Sequence, residues 1–210
     1  MPIFYDFERA PSPRRARIVL AEKAIAHSVV TVDLTVGEQL GAAYRAINPA
    51  CTVPALKLED GTVLTDNAGI LAWAEAAYPA PALLGETPLE KAEIASWNAR
   101  IEGECFHAIA EAMRNSAPGM KDRALTGPVN YAQIPELAAR GMARLLGFFE
   151  LFNAHMDGRE FVAANRFSVA DITAVVAIDF ARVLRVRPSD AHEHLLAWRA
   201  RMAQRPSMAL

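Results

Sequence analysis

One short segment, residues 48–70, constrains the fold more than any other part of the chain. Pro54 has no backbone N–H and cannot lie in a central strand, so it marks a strand edge, a bulge or a cis peptide bond. Asp60-Gly61 lies between two apolar runs, which is a strong hairpin signal. The segment therefore predicts a strand that begins after Pro54 and forms a β-hairpin with the next strand.

A polar helix start follows this hairpin. Thr65, Asp66 and Asn67 are residues that cap helix N-termini. The N-terminus of a helix attracts anions because its first N–H groups are unpaired. An open strand edge beside such a helix start suits a small, extended, peptide-like acid.

Composition narrows the class of protein. The chain has 210 residues, which is long enough for one large domain or two small ones. Its formal net charge is −2. This charge argues against nucleic acid or an anionic membrane as the main partner. We see no signal peptide and no apolar run of membrane-spanning length. Cys51 and Cys105 lack C-x-x-C spacing, which indicates a reducing compartment, so we expect a cytoplasmic protein.

The hydrophobic pattern predicts two domains. In residues 1–80, strands alternate with helices in a thioredoxin-like α/β arrangement. The predicted strands are 3–7, 28–34, 55–58 and 62–64, and the predicted helices are 13–26, 37–47 and 67–77. Proline and glycine between 78 and 88 mark a linker. Residues 86–210 are predicted to be all-helical, with helices at 89–116, 134–156, 172–184 and 190–204 and a loop at 117–130.

In these features the chain resembles the cytosolic glutathione S-transferases. The family pattern N-P-x-x-x-V-P-x-L, then D-G, then an acidic residue and Ser, then Ile, is matched from Asn48 to Ile70, with Asn67 in place of the usual Ser. The resemblance covers essentially the whole chain, including the segment from Phe161 to Ile172. It implies glutathione as co-substrate, a homodimer, a role in detoxification and a small apolar electrophile bound in the cleft between the domains.

The resemblance also implies which residues bind glutathione. The Val53 main chain would pair with the cysteine of glutathione, and Pro54 would be the cis-proline after it. Asp66 and Asn67 would hold the γ-glutamyl end. A lysine that often meets the glycine carboxylate is replaced by Thr52, and Gln39 is a candidate to compensate.

The thiol-activating group is sought in the loop after the first strand. The arginine pattern aligns Ala10 with the family's usual Ser, so either Ser12 takes over as hydroxyl donor or that donor is missing. Ser12 before Pro13 is equally typical of an N-cap with proline at the first helical position. Tyr5 is a second candidate, since some relatives use a phenol at the end of the first strand, although packing also explains it.

Three functions stay open at this point. The leading hypothesis is a glutathione S-transferase that activates the thiol as thiolate. The second is a non-catalytic glutathione-binding or protein-interaction module, and the third is a glutathione-dependent peroxidase, isomerase or dehalogenase. The five histidines have no metal-ligand spacing with a third ligand, so no metal is expected.

Overall fold

A computed structural model describes all 210 residues and divides them into two compact units. The first unit comprises Met1–Pro81, Leu125–Asn130 and Leu210, and the second comprises Ala82–Ala124 and Tyr131–Ala209. The first unit thus also takes in part of the predicted loop 117–130. The domain limits 1–80 and 86–210 stay predictions.

The first unit is built on a four-stranded mixed sheet. Its strands are β1 (Ile3–Asp6), β2 (Ser28–Thr31), β3 (Ala55–Lys57) and β4 (Val63–Leu64), in the order β2-β1-β3-β4. β1 pairs in parallel with β2, and β3 runs antiparallel to both β1 and β4. A parallel pair needs a long crossover whereas an antiparallel pair needs only a turn, which explains the helix before β2 and the short hairpin between β3 and β4.

Three helices belong to this unit: α1 (Pro11–Glu22), α2 (Ala42–Arg45) and α3 (Asn67–Ala77). The bounds of α3 are the predicted ones. α1 begins two residues earlier than predicted, because Pro11 takes the first helical position, where a missing N–H costs nothing. The N-cap residue is Ala10, so the interpretation of Ser12 as an N-cap is wrong.

The second unit is built from helices joined by loops, as predicted, and contains one isolated β-bridge between Arg123 and Tyr131. Its main helices are α4 (Pro88–Ile101), α5 (His107–Ser116), α6 (Pro135–His155), α7 (Val169–Phe180) and α8 (Glu193–Met202). The single helix predicted over 89–116 is interrupted by a π-helical segment, Glu102–Phe106. Thr87 and Glu90 form a capping box at the start of α4, a T-x-x-E signal that the sequence interpretation missed. None of the helices is both long and apolar enough to cross a membrane.

The start of α7 is a buried polar cluster around Asp171. The predicted capping box is confirmed: Ser168 and Asp171 bond each other's backbone at the helix start. The Asp171 carboxylate also accepts hydrogen bonds from the Val162 N–H and the Trp198 indole, both at 3.0 Å. Burial outweighs these donors and raises the pKa of Asp171 from 3.8 to about 6.

Helices α5 and α6 approach each other at Gly141. A Cβ added at this glycine would lie 2.6 Å from the Ala108 carbonyl oxygen and 2.7 Å from the Ala112 nitrogen. Backbone atoms cannot move aside as a flexible side chain can. The contact between the two helices therefore requires glycine at position 141.

Gly141→Ala is expected to lower the free energy of unfolding by about 1–3 kcal/mol, because the methyl group forces α5 and α6 apart. Gly147→Ala in the same helix is the matched control, since a Cβ there meets nothing within 4 Å. We expect that variant to be neutral or stabilised by up to about 1 kcal/mol through helix propensity. Equal effects of the two substitutions in urea unfolding would contradict the close contact.

A pH dependence of stability is expected from Asp171. Its folded pKa lies above its ordinary value, so the folded chain binds this proton more tightly than the unfolded chain does. The contribution of Asp171 to stability is therefore largest below about pH 4, falls as the pH rises to about 6, and is constant above that. In Asp171→Asn this component should vanish from urea unfolding measured across pH 4–7. The prediction is wrong if wild type and variant have parallel pH profiles.

Candidate functional site

The N-termini of α1 and α3 are joined by one side chain. The Asn67 amide nitrogen donates to the Ser12 hydroxyl at 2.8 Å and to the Ser12 carbonyl oxygen at 3.1 Å. Ser12 is the second residue of α1 and Asn67 is the first residue of α3. Two helix ends of positive dipole therefore meet at Ser12 and Asn67, which we call the helix junction.

The opposite ends of the same two helices are also tied together. Lys23, the C-cap of α1, is only 3% exposed, and its ammonium group pairs with Glu75 in the last turn of α3 at 2.7 Å. The same ammonium group donates to the carbonyl oxygens of Tyr78 and Pro81 at 2.7 and 2.8 Å. A buried lysine needs such partners. With both ends held, the two helices lie side by side in the same direction.

The loop that leads into α1 is braced by Arg17. Its guanidinium donates to the Asp6 carboxylate at 2.6 Å and to the Glu8 carbonyl oxygen at 2.9 Å. Asp6 is buried at the end of β1, so this ion pair is shielded from solvent. Arg17 thereby holds the loop that leads to Ser12 in the first turn of α1.

The edge at Val53 has unused main-chain groups. The peptide bond between Val53 and Pro54 is cis, and β3 starts only at Ala55. No hydrogen bond within the chain uses the N–H or C=O of Val53. These two groups are available to an extended ligand.

Two buried side chains that the sequence interpretation did not single out hold the turn before Val53. Asn48 is fully buried, donates to the Thr52 carbonyl oxygen at 2.8 Å and accepts from the Ala50 N–H at 3.0 Å. The Tyr44 hydroxyl donates to the same Thr52 oxygen at 2.7 Å, and burial raises the pKa of Tyr44 to about 12. The N-P pair of the motif was the available signal for Asn48.

Asp66 is the N-cap of α3. One of its carboxylate oxygens accepts from the Gly69 N–H at 2.7 Å, while the side chain stays exposed. The N–H groups of Asn67 and Ala68 have no partner within the chain. An exposed carboxylate therefore lies next to two free N–H donors at this helix start.

The remaining predicted site residues lie in the same unit. Tyr5 packs in one core cluster with Val53 and Ala10, and its ring meets Tyr44 edge-on at 5.8 Å. Gln39 lies in a short 3₁₀ turn, and its side-chain oxygen is buried without a partner. Of the predicted residues, only Ser12 and Asn67 are hydrogen-bonded to each other.

A mixed sheet with a cis-proline edge, followed by an all-helical unit, defines a thioredoxin-like domain with a helical extension. The family model described as glutathione S-transferase, N-terminal domain, matches residues 10–77, and that for the C-terminal domain matches residues 117–206. The chain is 35% identical to Glutathione S-transferase 2 of Saccharomyces cerevisiae over 98% of this chain and 87% of the relative. It belongs to the glutathione S-transferase family.

Two further comparisons are informative. A solved structure of a glutathione S-transferase domain-containing protein from Marinobacter aquaeolei is 35% identical, with a TM-score of 0.89 over 98% of this chain and 99% of the other. Maleylacetoacetate isomerase of Pseudomonas aeruginosa is 39% identical, but only over 90 residues, or 42% of each chain. The similarity to the transferase and to the solved structure thus spans nearly the whole chain, and the similarity to this bacterial isomerase spans less than half of it.

Proposed function

We propose that this protein is a glutathione S-transferase that activates the glutathione thiol as thiolate and attaches it to a small apolar electrophile. The observation that carries the proposal is the helix junction. There the Ser12 hydroxyl accepts a hydrogen bond from Asn67, and its own proton has no acceptor within the chain. That proton is available to a sulfur.

Glutathione would bind along the Val53 edge as an added strand. Its cysteinyl main chain would use the unpaired N–H and C=O of Val53. Its γ-glutamyl carboxylate would accept from the N–H groups of Asn67 and Ala68, and its amine would face the exposed Asp66 carboxylate. Gln39 is the candidate for the glycyl half: its unpaired side-chain oxygen would accept from the glycyl N–H, and its amide nitrogen would donate to the glycyl carboxylate.

The thiolate would be stabilised at the helix junction. A hydrogen bond donated by Ser12 favours the charged form of the sulfur and lowers its pKa. The N-terminus of α1 adds a partial positive charge, since Pro11 and Pro13 leave the Ser12 N–H as the unpaired donor of its first turn. Much of the remaining rate enhancement would come from holding the thiolate and the electrophile close together in the right orientation.

The rest of the proposal concerns partners and setting. The helical unit would supply the electrophile pocket, and two copies of the chain would pair as a homodimer. We place the protein in the cytoplasm with a role in detoxification. Val53, Pro54 and Asp66 stand where the family pattern has the same residue types, which supports this proposal.

Isomerisation is a second candidate, because the chain is partly similar to a maleylacetoacetate isomerase. In that reaction the same thiolate would add to a double bond and leave again, so glutathione would be regenerated. A transferase instead consumes one glutathione for each product. Glutathione loss during turnover therefore distinguishes the two reactions.

The proposal is tested by titrating the protein with glutathione while following thiolate absorbance in the ultraviolet near neutral pH. We expect saturable binding with thiolate formation, and turnover with a model electrophile. Binding without thiolate would favour the non-catalytic module or a peroxidase-like role. A lack of binding at millimolar glutathione would contradict the proposal.

Ser12→Ala is expected to raise the pKa of the bound thiol by about one, because a hydrogen bond to a charged group contributes about 1.5–3 kcal/mol. The kcat below that pKa should fall about tenfold, with the glutathione Kd changed less than about twofold. Ser28→Ala is the matched control, since Ser28 pairs with Ile3 at the other end of β1. If the thiol pKa is unchanged in Ser12→Ala, another group activates the thiol, and Tyr5 is the next candidate.

A further inference from the structure

The orientation of the Asn67 amide is fixed by chemistry. A carbonyl oxygen can only accept, and the amide group that faces the Ser12 carbonyl at 3.1 Å must therefore be the nitrogen. The same nitrogen also donates to the Ser12 hydroxyl, at 2.8 Å. Both hydrogen bonds of the Asn67 side chain thus go to Ser12.

This commitment removes Asn67 as a side-chain ligand for a carboxylate. Its remaining polar atom, the amide oxygen, is buried and has no partner in the chain. An oxygen acceptor repels a carboxylate, so the γ-glutamyl end would depend on the main-chain N–H groups alone. The side chain must then serve another purpose than holding that carboxylate.

The effect on Ser12 follows from the same geometry. A hydroxyl oxygen that accepts a hydrogen bond from one side directs its own proton elsewhere, and it becomes a better donor because hydrogen bonds in a chain polarise one another. A serine at position 67 is too short to bond both the hydroxyl and the carbonyl of Ser12, and an aspartate could only accept. Asparagine is the small residue that supplies two donors.

We infer that Asn67 is a positioning residue that turns the Ser12 hydroxyl proton toward the glutathione sulfur. The inference rests on the proposed function, since it assigns Asn67 a part in the same thiol activation. Asn67 acts on the reaction only through Ser12. It touches neither the sulfur nor the γ-glutamyl carboxylate with its side chain.

A double-mutant cycle tests this role, with Ser12→Ala, Asn67→Ala and the double variant compared with wild type. The readouts are the pKa of the bound thiol, the pH profile of kcat and the glutathione Kd. We expect Asn67→Ala to raise the thiol pKa by about one when Ser12 is present, and to have almost no effect in the Ser12→Ala background. The Kd should change less than about twofold in all variants.

Asn67→Ser provides a second variant, because its hydroxyl could meet a ligand carboxylate but not replace both bonds to Ser12. We expect it to keep glutathione affinity and to leave the thiol pKa as high as in Asn67→Ala. Thermal unfolding of each variant confirms that the fold is retained before the titrations are compared. A return of the wild-type thiol pKa in Asn67→Ser would overturn the positioning role.

The cycle separates this inference from the proposed function. An equal effect of Asn67→Ala in both backgrounds would overturn the positioning role while leaving thiol activation intact. A large loss of glutathione affinity in Asn67→Ala with an unchanged thiol pKa would also overturn the positioning role, and would show that Asn67 contacts glutathione. Absence of thiolate in the wild-type complex would instead overturn the proposed function, and the positioning role with it.

Discussion

Two helix N-termini lie side by side in the first unit, held there by an amide that bonds both the hydroxyl and the carbonyl of Ser12. Lys23 ties the far ends of the same helices through a buried ion pair with Glu75. Such a pair is costly to break because it would leave an uncompensated buried charge. The position of Ser12, the free donors of α3 and the direction of the hydroxyl proton all depend on this arrangement.

Much of the fold could be predicted because its signals are local. Asp66 caps α3 within its own first turn, and Asp60-Gly61 sets the hairpin between β3 and β4, so those elements lie where the sequence predicts them. The predicted start of α1 lies two residues too late, because a proline stands on each side of Ser12 and either proline can occupy the first position of a helix. The π-helical break at Glu102–Phe106 contains no proline, and its one glycine, Gly103, is not enough to predict a break because a single glycine is tolerated inside a helix.

The candidate site could be predicted only as a set of residue types. The family pattern pointed to Val53, Asp66 and Asn67, but the hydrogen bonds from Asn67 to Ser12 span 55 residues and depend on how two helices pack. The same holds for Tyr44, which bonds a carbonyl eight residues further on. At position 67, the residue that departs from the family pattern is bonded to another part of the protein, Ser12.

A crystal structure of the glutathione complex tests the central claim most directly. We predict a glutathione sulfur within hydrogen-bond distance of the Ser12 hydroxyl, with Asn67 still bonded to Ser12 and the cysteinyl main chain paired with Val53. A sulfur that faces Tyr5 instead, or an Asn67 side chain that has left Ser12 to meet the γ-glutamyl carboxylate, would contradict it.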